Sequence, residues 1–318
     1  MTTEALPELD AQYRALREEA GLLERPGRGK LLVRGADAAE FLQGQLTNDI
    51  EALEPEAGCY AALLDRKGHM RADMRVLHLN DGGIWLDTEP ETTEALRSHL
   101  DMYKIGREVE LSDESEDWAI LSLIGPAAYD VAGTGPLSPE HAQRNYQRDG
   151  VEVLAVGTDL GVDLIVRSES AEQLREAVLA SGAAAVSEEA AEIVRVESGR
   201  PRFGREMTNA TIPAEAGINA RAVSFSKGCY VGQETVARLH YKGKPNRHLR
   251  GLRLSAPASA GEELTLDGKT VGEIGTFCIS PAHGPIALAI VRREAEPGDT
   301  VGVAQNGVTA TLADLPFG

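Results

Sequence analysis

From Pro245 onward the chain consists of short runs in which apolar and polar residues alternate. Residues 249–254, 263–266, 270–274, 286–291, 300–304 and 308–312 follow this pattern, with Gly, Pro and Asp between them. A period of two puts every second side chain on one face of a strand. Short strands with no helical pattern to cover a face predict a small all-β barrel of about 70 residues.

The residues before Pro245 obey a different rule. Strand patterns at 30–33, 60–64, 74–79, 84–87, 118–124, 151–156 and 162–166 alternate with helical ones at 92–103, 171–180 and 188–196. Leu9, Tyr13, Leu16 and Ala20 share one helical face, and Asp37 stands where it would cap a helix that buries Phe41, Leu42 and Leu46. Strands joined in pairs, as across Asp65-Arg66-Lys67-Gly68, predict α+β layers rather than a doubly wound parallel sheet. One long irregular stretch, 199–224, carries apolar Phe203, Met207 and Ile212, which predicts an ordered loop with a function. The expected division is residues 1–244 and 245–318.

A chain of 318 residues, 42% hydrophobic and 26% charged, is long enough for two or three domains and is neither disordered nor fibrous in composition. A formal charge of −18 argues against broad binding to nucleic acid or an anionic membrane. Residues 1–23 are rich in acids without an apolar core, and no apolar run approaches the roughly 20 residues of a membrane span. The three cysteines, Cys59, Cys229 and Cys278, lie far apart, with no C-x-x-C pair and no histidine cluster. The expectation is a cytoplasmic protein with no membrane partner and no metal site. Neither a glycine-rich phosphate cradle nor a nucleophile elbow is present.

Four groups of residues could carry chemistry. In Lys227-Gly228-Cys229-Tyr230-Val231-Gly232-Gln233-Glu234, a helix beginning near Gly232 would turn its first N–H groups and positive dipole end toward Cys229. With Lys227 beside it, that thiol should ionise more readily than a free cysteine; the alternative is a cysteine that only fills space. In Arg195-Val196-Glu197-Ser198-Gly199, the glutamate at a helix end offers two acceptors to a ring that presents an N–H beside an amino group. Otherwise it is a solvated helix end. Asp73, on the hairpin Gly68-His69-Met70-Arg71-Ala72-Asp73, is either a ligand contact or an exposed strand residue. Finally, Arg238, Lys242, Lys244, Arg247, Arg250 and Arg253 form a cationic island with no acid between 235 and 261. It could be a solvated face, hold a ligand's carboxylate tail, or contact RNA with Tyr241 stacking.

The segment V-S-F-S-K-G-C-Y-V-G-Q-E-T-V-A-R, residues 223–238, resembles the signature of the YgfZ group. These are folate-binding proteins similar to the glycine-cleavage T protein (aminomethyltransferase) that support iron–sulfur enzymes. The R-x-E-x-G run with P-R-F-G-R-E and P-A-E-A-G after it, and residues 33–49, also resemble T-protein motifs. The resemblance implies two intertwined α+β domains followed by a β-barrel, with tetrahydrofolate or a one-carbon derivative as cofactor. It implies that Glu197 holds the pterin head and that Asp73 approaches the reduced ring. Ala72 and Asp73 stand opposite an acidic pair of the transferases, so one carboxylate is missing here. Arg238, Tyr230 and Gln233 complete the candidate folate-binding residues, and Cys229 with Lys227 the reactive ones. The expected partners are folate and, transiently, iron–sulfur client enzymes. The alternatives are a folate-dependent aminomethyltransferase or demethylase, and a non-catalytic module, for example for RNA.

Overall fold

The chain begins with α1 (Leu9–Glu18), β1 (Gly21–Glu24), β2 (Gly29–Arg34), α2 (Ala38–Gln45), β3 (Gly58–Leu64), β4 (Met70–His78) and β5 (Ile84–Thr88). Next come α3 (Pro90–Tyr103), β6 (Glu110–Asp113), β7 (Trp118–Ile124), α4 (Ala128–Ala132), β8 (Gln143–Arg148), β9 (Val151–Gly157) and β10 (Gly161–Arg167). The helices α5 (Ala171–Ala180) and α6 (Glu188–Glu197) flank the two-residue β11 (Ala184–Ala185). After a long loop come α7 (Asn219–Ala222) and α8 (Gln233–Lys242), then β12 (Arg247–Leu254), β13 (Glu263–Leu266) and β14 (Lys269–Ser280). The chain closes with β15 (Gly284–Arg292), β16 (Thr300–Val303) and β17 (Val308–Ala313). This computed structural model describes residues 8–304 and 307–318. It divides into one unit of Met1–Leu64, Arg71–Ala191 and Arg221–Val231, and another of Asp65–Met70, Glu192–Ala220 and Gly232–Gly318.

The first unit is built on two sheets, ordered β3-β4-β5-β2-β6 and β11-β1-β7-β10-β9-β8. Nearly all neighbours are antiparallel, the exception being the short β1–β11 pair, so the α+β expectation holds. Alternation along the strands assigns their faces. Ile84 and Leu86 join a core with Phe41, Leu42, Leu96 and Leu100 from α2 and α3. Trp85, between them, turns the other way and packs with Leu77, Ile120, Leu154, Val156 and Ile165. Leu121, Leu123 and Leu164 face a third cluster containing Leu174 and Val178 of α5. Both sheets are therefore covered on both faces, which is why β5 is buried along its whole length. Each buried Leu or Ile contributes about 1.5–3 kcal/mol.

A line of buried charges crosses the same interior. Arg75 Nη1 donates to Asp163 Oδ2 (2.5 Å), and its Nε donates to Asp87 Oδ2 (2.6 Å). Arg28 Nε reaches Asp87 Oδ1 (2.5 Å), and its Nη1 reaches Glu89 Oε1 (2.8 Å). Arg75 thus ties β4 to β10, one sheet to the other.

In the second unit, β12-β15-β14-β13-β16-β17 form a closed barrel around Leu252, Leu264, Ile274, Ala289 and Val301. Closure removes the unpaired edges of short strands. β14 runs six residues beyond the expected 270–274, because a register shift between Ile274 and Thr276 breaks the alternation there. Gly275 is required at this bulge, since a Cβ would lie 2.8 Å from Glu206 Cγ.

At one cap the expectation needs correction. Asp37 stands at the N-cap of α2, but its carboxylate makes no capping bond. Asp37 Oδ2 instead accepts from Glu108 N at 2.8 Å, holding the loop before β6. No helix among the described residues is long and apolar enough to cross a membrane.

Candidate functional site

Asp73 lies on β4 and is 8% exposed. Tyr60, on β3, donates its hydroxyl to Asp73 Oδ2 at 2.5 Å. Asp73 Oδ1 is buried and has no hydrogen-bond partner among the described residues. Burial pushes this carboxyl up to about 6. The Tyr60 bond opposes that rise, the nearby charge of Glu89 adds to it, and Arg28 opposes it. Burial and the charge of Asp73 in turn hold the Tyr60 phenol well above its ordinary value. A carboxyl that titrates near pH 6 can exchange a proton close to neutrality, and its open oxygen is an acceptor in reserve.

The Tyr60 ring is held from its other side. The Arg221 guanidinium sits 4.9 Å from the ring centroid, and Arg221 Nη2 donates to Glu140 Oε1 at 2.6 Å. Asn48 Nδ2 donates to the carbonyls of Tyr60 (2.8 Å) and Arg221 (2.9 Å). Thr47 Oγ1 donates to Ala222 O (2.5 Å) and accepts from Ala62 N (2.9 Å). Thr47 and Asn48 are thus staples that fix β3 against residues 221–222.

Lys227, Cys229 and Tyr230 lie in the irregular segment that follows α7, within the same unit. Lys227 Nζ donates to three carbonyls at the end of α2 and just beyond: Gln43 (2.7 Å), Leu46 (2.8 Å) and Asn48 (2.6 Å). A cation at a helix C-terminus meets the carbonyls that the helix leaves unsatisfied. Four residues on, Val231 N donates to Gly44 O at 3.3 Å. The loop therefore grips the last turn of α2 at two points, and Gly228 and Cys229 between them are exposed. Burial pulls the Lys227 ammonium down to about 8, partly offset by Asp49, Cys59 and Glu51. Lys227 Nζ also lies 5.2 Å from the ring centroid of Tyr230. Tyr230 is buried, and burial raises its phenol to about 12. Gly232, with φ 84°, sets the start of α8 at Gln233, where the sequence predicts it.

Replacing Lys227 with Met removes three charge-assisted bonds while keeping the apolar stem. We expect a stability loss of about 1.5–3 kcal/mol in chemical denaturation. Faster amide exchange at residues 228–231 should accompany it, while the exchange of β7 stays unchanged.

In the second unit, Glu197 is the last residue of α6 and is 3% exposed. Ser280 Oγ, at the end of β14, donates to Glu197 Oε1 at 2.5 Å, and Phe317 N donates to Glu197 O at 2.9 Å. Cys278 on the same strand is pushed up to about 12 by burial and by the charge of Glu197. Arg195 has a different task from Glu197 two residues later. It reaches Glu192 (2.8 Å), Glu206 (3.0 Å) and Thr276 (2.9 Å), which fastens α6 and the loop after it to the barrel.

Half of the cationic island is structural. Arg247 is held by Glu215 at 2.9 and 2.8 Å, Arg250 donates to Leu249 O at 3.2 Å, and Arg253 donates to Gly318 O at 2.8 Å. Arg238, Lys242 and Lys244 remain exposed, on α8 or just after it. The structure thus gathers Asp73, Lys227, Cys229 and Tyr230 in one unit, and Glu197, Gln233 and Arg238 in the other. Sequence reasoning missed Tyr60, Arg221 and Ser280. Tyr60 was findable, because residues 60 and 73 are equidistant from the turn at Arg66 and Lys67 and so face each other across the hairpin. Ser280 and Arg221 have no local signal.

Residues 3–227 match the GCVT N-terminal domain, and residues 247–317 match the glycine cleavage T-protein C-terminal barrel domain. The aminomethyltransferase of Rubrobacter xylanophilus is 30% identical over 322 residues, spanning 97% of this chain and 86% of that protein. A chloroplastic Arabidopsis thaliana protein, provisionally named a transferase, is 28% identical over 91% of this chain and 69% of its own length. The glycine cleavage system aminomethyltransferase T of Bartonella henselae superposes with a TM-score of 0.87 at 23% identity, covering 98% of this chain and 89% of that one, which shows the shared fold. With both domain models matched in order along nearly its whole length, the chain belongs to the glycine-cleavage T-protein family.

Proposed function

We propose that this protein binds tetrahydrofolate or a one-carbon derivative and supports the assembly or repair of iron–sulfur clusters in client enzymes, as members of the YgfZ group do. Cys229 is its reactive thiol. The observation that carries the folate reading is Asp73, a buried carboxyl with one oxygen held by Tyr60 and the other unpartnered among the described residues. A buried acceptor without a donor costs stability, and an arriving donor would relieve that cost. A reduced pterin has N–H donors to offer, so the residue fits the cofactor. Glu197, fixed through one oxygen by Ser280, fits the role of acceptor for the amino edge of the pterin. Arg238, with Lys242 and Lys244, has the charge to attract a carboxylate tail, and Tyr230 and Gln233, the other candidate folate-binding residues, follow Cys229 in the sequence.

Calorimetric titration of tetrahydrofolate in anaerobic buffer tests this. The wild type should bind, and Glu197→Gln should lose about 1–3 kcal/mol, the usual effect of an unmatched polar contact. No heat of binding with the wild type would leave a fold without its ligand.

A second reading, aminomethyl transfer to folate, is favoured by the names of the relatives. Against it stands Ala72 where the transferase pattern has the other member of an acidic pair. Release of ammonia and methylenetetrahydrofolate from an aminomethylated lipoyl donor would establish it.

A further inference from the structure

We propose that the cleft walled by Trp85 and Trp118 in the first unit binds a small, uncharged, flat nitrogen heterocycle of nucleobase type. The cleft holds about 400 Å³, within the range of about 300–1,000 Å³ that small-ligand pockets occupy. Neither Asp73, Tyr60, Lys227 nor Cys229 lines it, so it is separate from the folate reading.

Its walls favour a flat ring. The two tryptophans are the only ones in the chain, and both stand here, edge to face at 5.2 Å. The Arg167 guanidinium lies 4.0 Å from the ring centroid of Trp118, so planar groups already stack at this wall. Leu79 and Leu154 add apolar surface. Aromatic walls with offset or edge contacts hold another π-system better than they hold an aliphatic chain.

The two indole N–H groups differ. Trp118 Nε1 donates to Glu114 Oε2 at 2.8 Å. Trp85 Nε1 is buried in a residue only 3% exposed and has no acceptor among the described residues. A buried donor without a partner is a standing cost, and the ring nitrogen of a seated heterocycle supplies the acceptor it lacks.

Charge at the rim excludes an anion. Asp81, Glu114 and Glu152 outnumber Arg34 and Arg167. Arg34 is already paired with Asp81 at 2.6 Å, and Arg167 covers an indole face. A phosphate group would meet more carboxylates than guanidiniums, so the site takes a bare base rather than a nucleotide.

Because both tryptophans report on this cleft, their fluorescence is a direct readout, with adenine as the probe. Adenine should quench it saturably, with half-saturation below the millimolar range, and adenosine monophosphate should bind more weakly. Trp85→Phe keeps the ring and removes the donor; by equilibrium dialysis it should bind adenine about tenfold more weakly, as for one lost hydrogen bond. In wild-type protein labelled with 5-fluorotryptophan, both fluorine resonances should shift along the same saturation curve, a test that needs no variant to fold. Unmoved resonances at millimolar adenine, undiminished affinity in a folded Trp85→Phe, or tighter binding of the nucleotide would overturn the proposal.

Discussion

Asp87→Asn should destabilise the protein by about 3–5 kcal/mol, the usual result of removing one partner from a buried ion pair. Asp87 is 1% exposed and accepts from both Arg28 (2.5 Å) and Arg75 (2.6 Å). Its loss leaves two guanidiniums inside the unit with reduced compensation, and an amide cannot replace the charge. Urea denaturation followed by tryptophan fluorescence measures the effect, because Trp85 and Trp118 belong to the same unit. A loss under 1 kcal/mol would mean that Asp163 and Glu89 carry the two arginines without it.

The same residue sets an acid limit. Burial alone would raise the Asp87 carboxyl, but Arg28 and Arg75 hold it down at about 2, below its ordinary 3.8. A depressed folded value contributes stability that is full above the unfolded value and disappears as pH falls through the folded one. The wild type should therefore lose stability between about pH 4 and pH 2, and Asp87→Asn should flatten that part of the profile. Asp73 behaves in the opposite sense, although both carboxyls are buried. Burial raises it to about 6, because the single phenol bond from Tyr60 only partly opposes burial and the charge of Glu89 adds to the rise. A raised carboxyl costs stability as pH increases from about 4 through 6. Asp73→Asn should accordingly keep or raise the melting temperature at pH 7. A carboxylate retained at the expense of stability is more readily explained by a ligand than by the fold.

If the proposed function holds, Cys229→Ser should abolish the support of iron–sulfur enzymes and leave the structure unchanged. The thiol is exposed, and the loop is fixed by Lys227 and Val231 on either side of it. Stability should stay within about 0.5 kcal/mol of wild type, as for a surface substitution. Cells that carry the variant as their only copy should lose the activity of iron–sulfur clients at normal protein levels. Unchanged activity in those cells would remove Cys229 from the proposed mechanism.

Much of the architecture is legible in the sequence, because periodicity reports burial. β7, α5 and β13 fall on the residues that alternation or helical spacing indicates. What periodicity misses are the short and polar elements. β8, Gln-Arg-Asn-Tyr-Gln-Arg, is an edge strand with little apolar pattern to read, and β1 and β6 are four residues each. The site is less legible for a related reason. Lys227 reads as a partner for the neighbouring thiol, yet its three protons go to carbonyls about 180 residues away in sequence. Cationic spacing likewise gives no hint that Arg247 answers to Glu215. Local patterns reveal which side chains are buried; the partners of buried charges are chosen by the tertiary fold.

Tetrahydrofolate affinity as a function of pH, in the wild type and in Asp73→Asn, tests the central claim most directly. If the open oxygen of Asp73 receives a donor from the reduced ring, the wild type should bind well at pH 7.5 and progressively less tightly below about pH 6, where the carboxyl gains its proton. Asp73→Asn should be weaker at pH 7.5, by about 1–3 kcal/mol, and should lack that step. The comparison cancels any titration of the ligand itself, which both proteins share. Equal affinity in the two proteins across the range would contradict the account and remove Asp73 from the proposed folate site.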